Sequence, residues 1–189
     1  MAGSSTVLQE RNTFRRNLLI TIAYTSNPTN MILVLLGTFP IQFKRPLVEL
    51  DRLCKEGLLN EEIIVQSGHT EVDSNYFTVK PFMSADDLLA LYKKARLVIT
   101  HAGSGSILKA VKLGKKVIAI PRLAKYGEHV DDHQLEILRE FERLGYLIAW
   151  REEDNLIDLL DSVEGFEPAP YVSQKQQIID FLEDYISQL

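Results

Sequence analysis

The sequence predicts an α/β domain with a Rossmann-like parallel sheet and helices on both faces. Short, continuously apolar runs at 32–36 and 117–120 read as strands buried on both sides. Amphipathic stretches alternate with them, and turn residues punctuate the alternation. A βαβ order of this kind joins parallel strands through crossover helices, and ligands of such sheets sit beyond the carboxyl ends of the strands.

The elements follow in order. Residues 32–36 form the first strand, and Gly37-Thr38-Phe39-Pro40 turns the chain. Residues 45–55 read as a helix with Leu47, Val48, Leu50 and Leu53 on its inner side. A second strand at 63–66 ends at Ser67-Gly68-His69, and a short third one lies at 76–79. Ser84 is placed to cap a helix running to Lys94, with Asp86 and Asp87 in its first turn. The fourth strand is 97–100, followed by a helix at 106–113 and a fifth strand at 117–120 closed by Pro121. After a loop at 122–130, Asp131 or Asp132 caps a helix that runs to Leu144 and stops at Gly145. A sixth strand at 146–150, a helix at 155–163, a loop at 164–170 and an amphipathic helix at 173–188 complete the chain.

The 189 residues fit one domain, assigned to 31–189, with 1–30 as an N-terminal extension of different texture. That extension is rich in Ser, Thr and Asn, and its apolar patch at 18–24 is interrupted by Thr21 and Tyr24, unlike a signal peptide. Met31 opens the first strong strand as an initiating residue would.

Asp and Glu (26) outnumber Lys and Arg (21), and the basic residues are not clustered, so no nucleic-acid footprint is present. Cys54 is the only cysteine, which leaves no disulfide framework and fits a reducing, cytoplasmic setting. No apolar run approaches the ~20 residues that span a bilayer.

Residues 95–113 carry the chemistry. The strand ends at Thr100-His101, then Ala102, Gly103, Ser104, Gly105 and Ser106 lead into a helix. The first N–H groups of a helix lack intrahelical partners and the dipole adds positive charge, so an anion is the natural ligand. His101 either donates to a phosphate or is satisfied by a backbone carbonyl. Ser104 and Ser106 either bond phosphate oxygens or cap the helix.

The loops after the strands hold all four histidines: His69, His101, His129 and His133. His129, Asp131, Asp132 and His133 have a spacing that permits a metal, but acids before a helix are ordinary caps, so no metal is expected. Gln134 both donates and accepts, as a sugar-hydroxyl partner must. There is no Gly-x-Ser-x-Gly elbow and no Gly-x-x-x-x-Gly-Lys loop. Gly103 and Gly105 lack the third glycine of a dinucleotide fingerprint, and no acidic residue ends the next strand.

The run from His101 to Leu108, followed by Asp132-His133-Gln134, resembles the donor-nucleotide signature of GT-B glycosyltransferases. It is similar in particular to the small catalytic subunit of the bipartite UDP-GlcNAc transferase of asparagine-linked glycosylation, and to bacterial counterparts in exopolysaccharide and capsule synthesis. Leu36-Gly37-Thr38, Phe43, Arg45 and the Val65-Gln66-Ser67-Gly68 run share the pattern.

The resemblance implies the C-terminal, donor-binding half of a GT-B enzyme. Gly37 and Thr38 would face the donor diphosphate or the acceptor. His101, Gly103, Ser104, Gly105 and Ser106 would hold the diphosphate, and His133 and Gln134 would face the sugar hydroxyls. The donor would be a UDP-sugar, with no further cofactor. A membrane-anchored partner subunit would supply the acceptor half, so the chain would lie at the cytoplasmic membrane face, and the acceptor would be a lipid-diphosphate-linked saccharide. The apolar face of the 173–188 helix either docks that partner or covers the domain's own core.

His69 and His129 are the candidates for the catalytic base. One position departs from the family: the carboxylate that binds the ribose hydroxyls is replaced by Lys109, which cannot accept those bonds. A sugar-nucleotide 2-epimerase and a non-catalytic nucleotide-binding or regulatory subunit are the alternative readings.

Overall fold

The structure is a computed structural model that describes residues 30–173 together with 176, 179, 180, 183, 184 and 186. The extension at 1–29 and most of the final helix expected at 173–188, including all of its apolar face but Ile179 and Ile186, lie outside the described residues.

Among the described residues, six strands form one parallel sheet in the order β3-β2-β1-β4-β5-β6. They are β1 (Met31–Leu35), β2 (Glu62–Gln66), β3 (Phe77–Lys80), β4 (Leu97–His101), β5 (Lys116–Ile120) and β6 (Ile148–Ala149). The helices are α1 (Arg45–Lys55), α2 (Ala85–Lys94), α3 (Ser104–Lys112), α4 (His133–Arg143) and α5 (Leu156–Gly165).

Burial on both sheet faces explains the unbroken apolar runs. Along β1, Ile32 and Val34 enter one core with Leu47, Leu50 and Leu53 of α1 and Leu156, Leu160 and Val163 of α5. Met31, Leu33 and Leu35 enter the other, with Tyr92 of α2, Ile107, Ala110 and Val111 of α3, and Leu138 of α4. Side chains alternate faces along a strand, so each central strand supplies both layers.

Helix α1 matches its expected bounds, with Pro46 in its first turn where a missing N–H costs nothing. Ser84 caps α2 as expected, accepting from Asp87 N at 3.1 Å. Most other bounds shift by a residue or two, and three differences have a clear local cause. Helix α3 starts at Ser104 rather than 106, because Gly103 already takes the N-cap position. The sixth strand shrinks to two residues, since it is an edge paired only with Ile118 and Ala119 of β5. The 122–130 loop contains a 3-10 turn at Ala124–Tyr126, closed by Gly127 at φ 63°. No helix of the described residues is long and apolar enough to cross a membrane.

The strand order reverses between β1 and β4, from whose ends crossovers leave to opposite faces. In a doubly wound sheet the crevice lies at that switch point. Here its walls are the loops after β1 and β4.

Candidate functional site

His101 is the last residue of β4, and its ring stands between two backbones. A Cβ on Gly37 would lie 2.7 Å from its Nε2, and a Cβ on Gly103 would lie 2.1 Å from its Cε1. Both positions must be glycine for the ring to fit. Gly37 also has φ 81°, which side-chain-bearing residues rarely adopt. The contact continues into the loop after β2: a Cβ on Gly68 (φ 57°) would meet the Gly37 carbonyl oxygen at 2.1 Å. Three strand-end loops therefore touch through bare backbone.

The imidazole is held neutral. Burial pushes its pKa down to about 4, and the charges of Arg122 and then His129 push the same way. Its Nδ1 is buried without a partner, and its Nε2 lies 3.5 Å from Ser106 Oγ.

Helix α3 begins beside this ring. Its N-cap is Gly103, with no side-chain cap, and the first recurring helical bond is Ile107 N to the Gly103 carbonyl. The amides of Ser104, Gly105 and Ser106 therefore face outward without intrahelical acceptors. Ser104 and Gly105 are exposed. Neither serine caps the helix, which corrects that reading for Ser106: it sits in the first turn, and its carbonyl accepts from Tyr92 Oη at 3.1 Å. Lys109 on the same helix places its ammonium 5.5 Å from the Tyr92 ring centre.

The third wall is the β5–α4 loop. His129 stacks on Phe39 of the first turn at 4.6 Å between ring centres. Its Nδ1 lies 3.1 Å from Asp131 Oδ1, and His133 Nδ1 contacts the same oxygen. Asp131 also accepts from the His133 backbone N–H at 3.2 Å, and these contacts hold its carboxyl below the usual range. Of the two expected caps, Asp132 occupies the N-cap position but turns its carboxylate to Ala124 N at 2.8 Å, and it is Asp131 that takes the first N–H of α4. Among the described residues, His129, Asp131 and His133 gather imidazole and carboxylate atoms within 4.8 Å of one another.

Gln134 is buried, and its oxygen accepts from Arg122 N at 3.0 Å, which commits one of the two lone pairs of that oxygen to the main chain. Thr38 is exposed at the crevice mouth. His69 is exposed on the β2 side, edge-on to Phe82 at 5.3 Å and grouped with Gly37 only through Gly68.

Sequence reasoning gave no site role to three charged residues behind the crevice, of which only Arg45 was named, as part of the family pattern. Arg45 forms a two-pronged pair with Glu128, at 2.8 Å on each oxygen, and donates to the Pro121 carbonyl at 2.7 Å. Glu128 is 5% exposed and also accepts from Leu123 N at 3.1 Å. Arg122, 1% exposed, donates to the carbonyls of Leu36, Ile41 and Glu128. The one local signal was an arginine directly after the apolar strand and Pro121.

Two further hollows lie outside this crevice. A groove of about 450 Å³ runs between α1 and residues 71–77, and holds none of these glycines or histidines. A cleft of about 280 Å³ lies between Pro121, Leu135 and Glu152.

A switch-point crevice with glycine-lined walls and an open helix N-terminus defines a doubly wound α/β domain, and a helix terminus of this kind suits an anion. Residues 31–189 match the glycosyltransferase family 28 C-terminal domain, and the chain belongs to that family. It is 39% identical over 93 residues to the UDP-N-acetylglucosamine transferase subunit ALG13 of Eremothecium gossypii, covering 48% of this chain and 43% of that one. To the protein of that name in Yarrowia lipolytica it is 33% identical over 79 residues, covering 42% of this chain and 38% of the relative. The matched stretch thus spans less than half the length of either relative. Among solved structures, MurG of Acinetobacter baumannii superimposes with a TM-score of 0.51 at 19% identity, over 77% of this chain and 42% of that chain, a likeness of fold.

Proposed function

We propose that this chain is the donor-binding, catalytic subunit of a two-component inverting glycosyltransferase. It moves a sugar from a UDP-sugar to a lipid-diphosphate-linked saccharide, working with a membrane-anchored subunit at the cytoplasmic membrane face. The observation that carries the reading is the His101 ring seated between Gly37 and Gly103 beside the open N-terminus of α3. Family membership and the likeness to UDP-N-acetylglucosamine transferase subunits support it.

In this reading the acceptor hydroxyl attacks the anomeric carbon and UDP leaves with the electron pair of the glycosidic bond. The charge that gathers on the diphosphate meets the free amides of Ser104, Gly105 and Ser106, which are already oriented. His101, being neutral, contributes a hydrogen bond rather than a charge. No further cofactor is invoked.

Of the two candidate bases, the geometry favours His129. With its Nδ1–H donated to Asp131, the Nε2 lone pair is free to take the acceptor proton, and Phe39 fixes the ring plane. His69 has no carboxylate oriented on it by a hydrogen bond among the described residues. His133 and the Gln134 nitrogen would face the sugar hydroxyls.

Calorimetric titration of UDP into the chain, alone and with its co-expressed partner, tests the reading. Binding in either setting together with sugar transfer in the complex supports it. No binding in both overturns it, and binding without transfer by the complex favours a regulatory nucleotide-binding subunit.

A further inference from the structure

Among the described residues Arg122 is the largest fully buried side chain, at 1% exposure, and burying a guanidinium is costly unless its bonds are met. Its bonds go to main chain alone. Nη1 donates to the Ile41 carbonyl at 2.8 Å and the Glu128 carbonyl at 2.9 Å, and Nη2 to the Leu36 carbonyl at 2.9 Å. Leu36 and Ile41 bracket the turn that carries Gly37 and Thr38, and Glu128 belongs to the loop that carries His129. One side chain thus ties the two loops that face each other across the crevice. The guanidinium also lies 4.8 Å from the Phe43 ring centre and 5.8 Å from that of Phe39, the residue on which His129 stacks.

The charge of Arg122 has no hydrogen-bonded carboxylate. The nearby Glu128 gives both oxygens to Arg45 and one also to Leu123 N. Two guanidiniums therefore share one buried carboxylate, and a positive charge is left behind the His101 ring. Two buried polar atoms lack any partner in the described structure: Nε of Arg122 and Nδ1 of His101. Native interiors rarely leave such atoms unmet, and a polar ligand is one reason to do so.

We propose that Arg122 is a positioning residue of the donor site: it clamps the first glycine turn to the β5–α4 loop and keeps a fixed positive charge behind the His101 ring, and so sets the affinity for a nucleoside diphosphate. This rests on the reading of the crevice as a diphosphate site. The groups that face His101 are the Gly37 and Gly103 backbones, Ser106, Arg122 and His129, and those that face Arg122 are Glu128, Arg45 beyond it, and the two phenylalanines. Of the charged neighbours of His101, Arg122 is the one whose charge does not depend on pH in the working range.

The test combines calorimetry with UDP and the pH titration of the His101 ring by NMR in the ligand-free full chain, for the wild type, Arg122→Lys and Arg122→Met. Arg122→Lys keeps the charge, but one ammonium cannot span three carbonyls. It is expected to leave the His101 titration in place and to weaken UDP about tenfold. Arg122→Met is expected to weaken UDP further and to let His101 titrate about one pH unit higher. A melting curve establishes that each variant is folded; if the methionine variant is not, the lysine variant alone decides the clamp. Folded variants that bind UDP within about twofold of the wild type, with His101 titrating unchanged, overturn the proposal. A wild type that binds no UDP instead overturns the donor-site reading, while the His101 titration still reads the electrostatic effect of Arg122.

Discussion

Gly37 and His101 come from different strand-end loops, yet a methyl group on Gly37 would lie 2.7 Å from the His101 Nε2. The ring and the bare backbone occupy one space, as do the ring and Gly103 on its other side. The crevice is thereby built by subtraction: two residues give up side chains so that a neutral imidazole sits beside the helix N-terminus.

The two glycines are required for different reasons, and a double-mutant cycle separates them. Gly103 has ordinary φ, so Gly103→Ala should cost about 2 kcal/mol against the His101 ring and almost nothing in a His101→Ala background. Gly37→Ala should cost more beside the ring but stay destabilising by about 1 kcal/mol in the His101→Ala background, because its φ of 81° remains strained. Urea unfolding of the four single and double variants measures this.

The pH dependence of stability should carry the signature of His101. Its folded pKa, near 4, lies below the ordinary histidine value, so the unfolded chain binds the extra proton between those two values. Stability from this group is complete above about pH 6.5 and is lost as pH falls toward 4, by up to about 3 kcal/mol. Denaturant titrations from pH 7.5 to 4 should show the decline, and His101→Gln should flatten that part of the profile.

The Arg45–Glu128 pair should matter far more than its surface counterparts. Glu128→Ala leaves Arg45 and Arg122 without a carboxylate in a buried setting and should cost about 3 kcal/mol. Glu140→Ala, which breaks an exposed pair with Arg143, should leave stability nearly unchanged. Equal losses in chemical denaturation would contradict this account of the buried network.

Lys109 tests where the ribose lies. Lys109→Glu should tighten UDP binding if the ribose hydroxyls reach the first turns of α3, because a carboxylate accepts both hydroxyl hydrogens and an ammonium accepts neither. Weaker binding by calorimetry would place the ribose elsewhere.

The base assignment is checked in the complex with the partner. His129→Ala should lower kcat by about 10²-fold or more while leaving the UDP affinity near that of the wild type, and Asp131→Asn should follow it in part. His69→Ala should leave kcat within about twofold. The reverse ranking would move the role to the β2 loop.

Much of this domain was legible in the chain because its signals are local. The apolar runs of β1 and β5, the amphipathic period of α1, the Ser84 cap and the glycines after His101 each act over a few residues. Boundaries slipped where a neighbour in space decided them, as at β6, whose short pairing depends on β5. Ser106 looked like a cap because serine before an apolar helical run is one often enough; Gly103 had already taken that position.

The sequence by itself determined the parallel α/β order, the strand-end location of the histidines and the strand-to-helix turn at 101–106, since periodicity and turn chemistry encode these locally. Only the tertiary structure decided that His101 is neutral, that one carboxylate oxygen of Asp131 joins His129 and His133, and that Arg122 and Glu128 are buried. The physical reason is distance along the chain. Arg45 and Glu128 are 83 residues apart and Arg122 reaches back 86 residues to Leu36, so burial and charge there arise only once the strands are aligned.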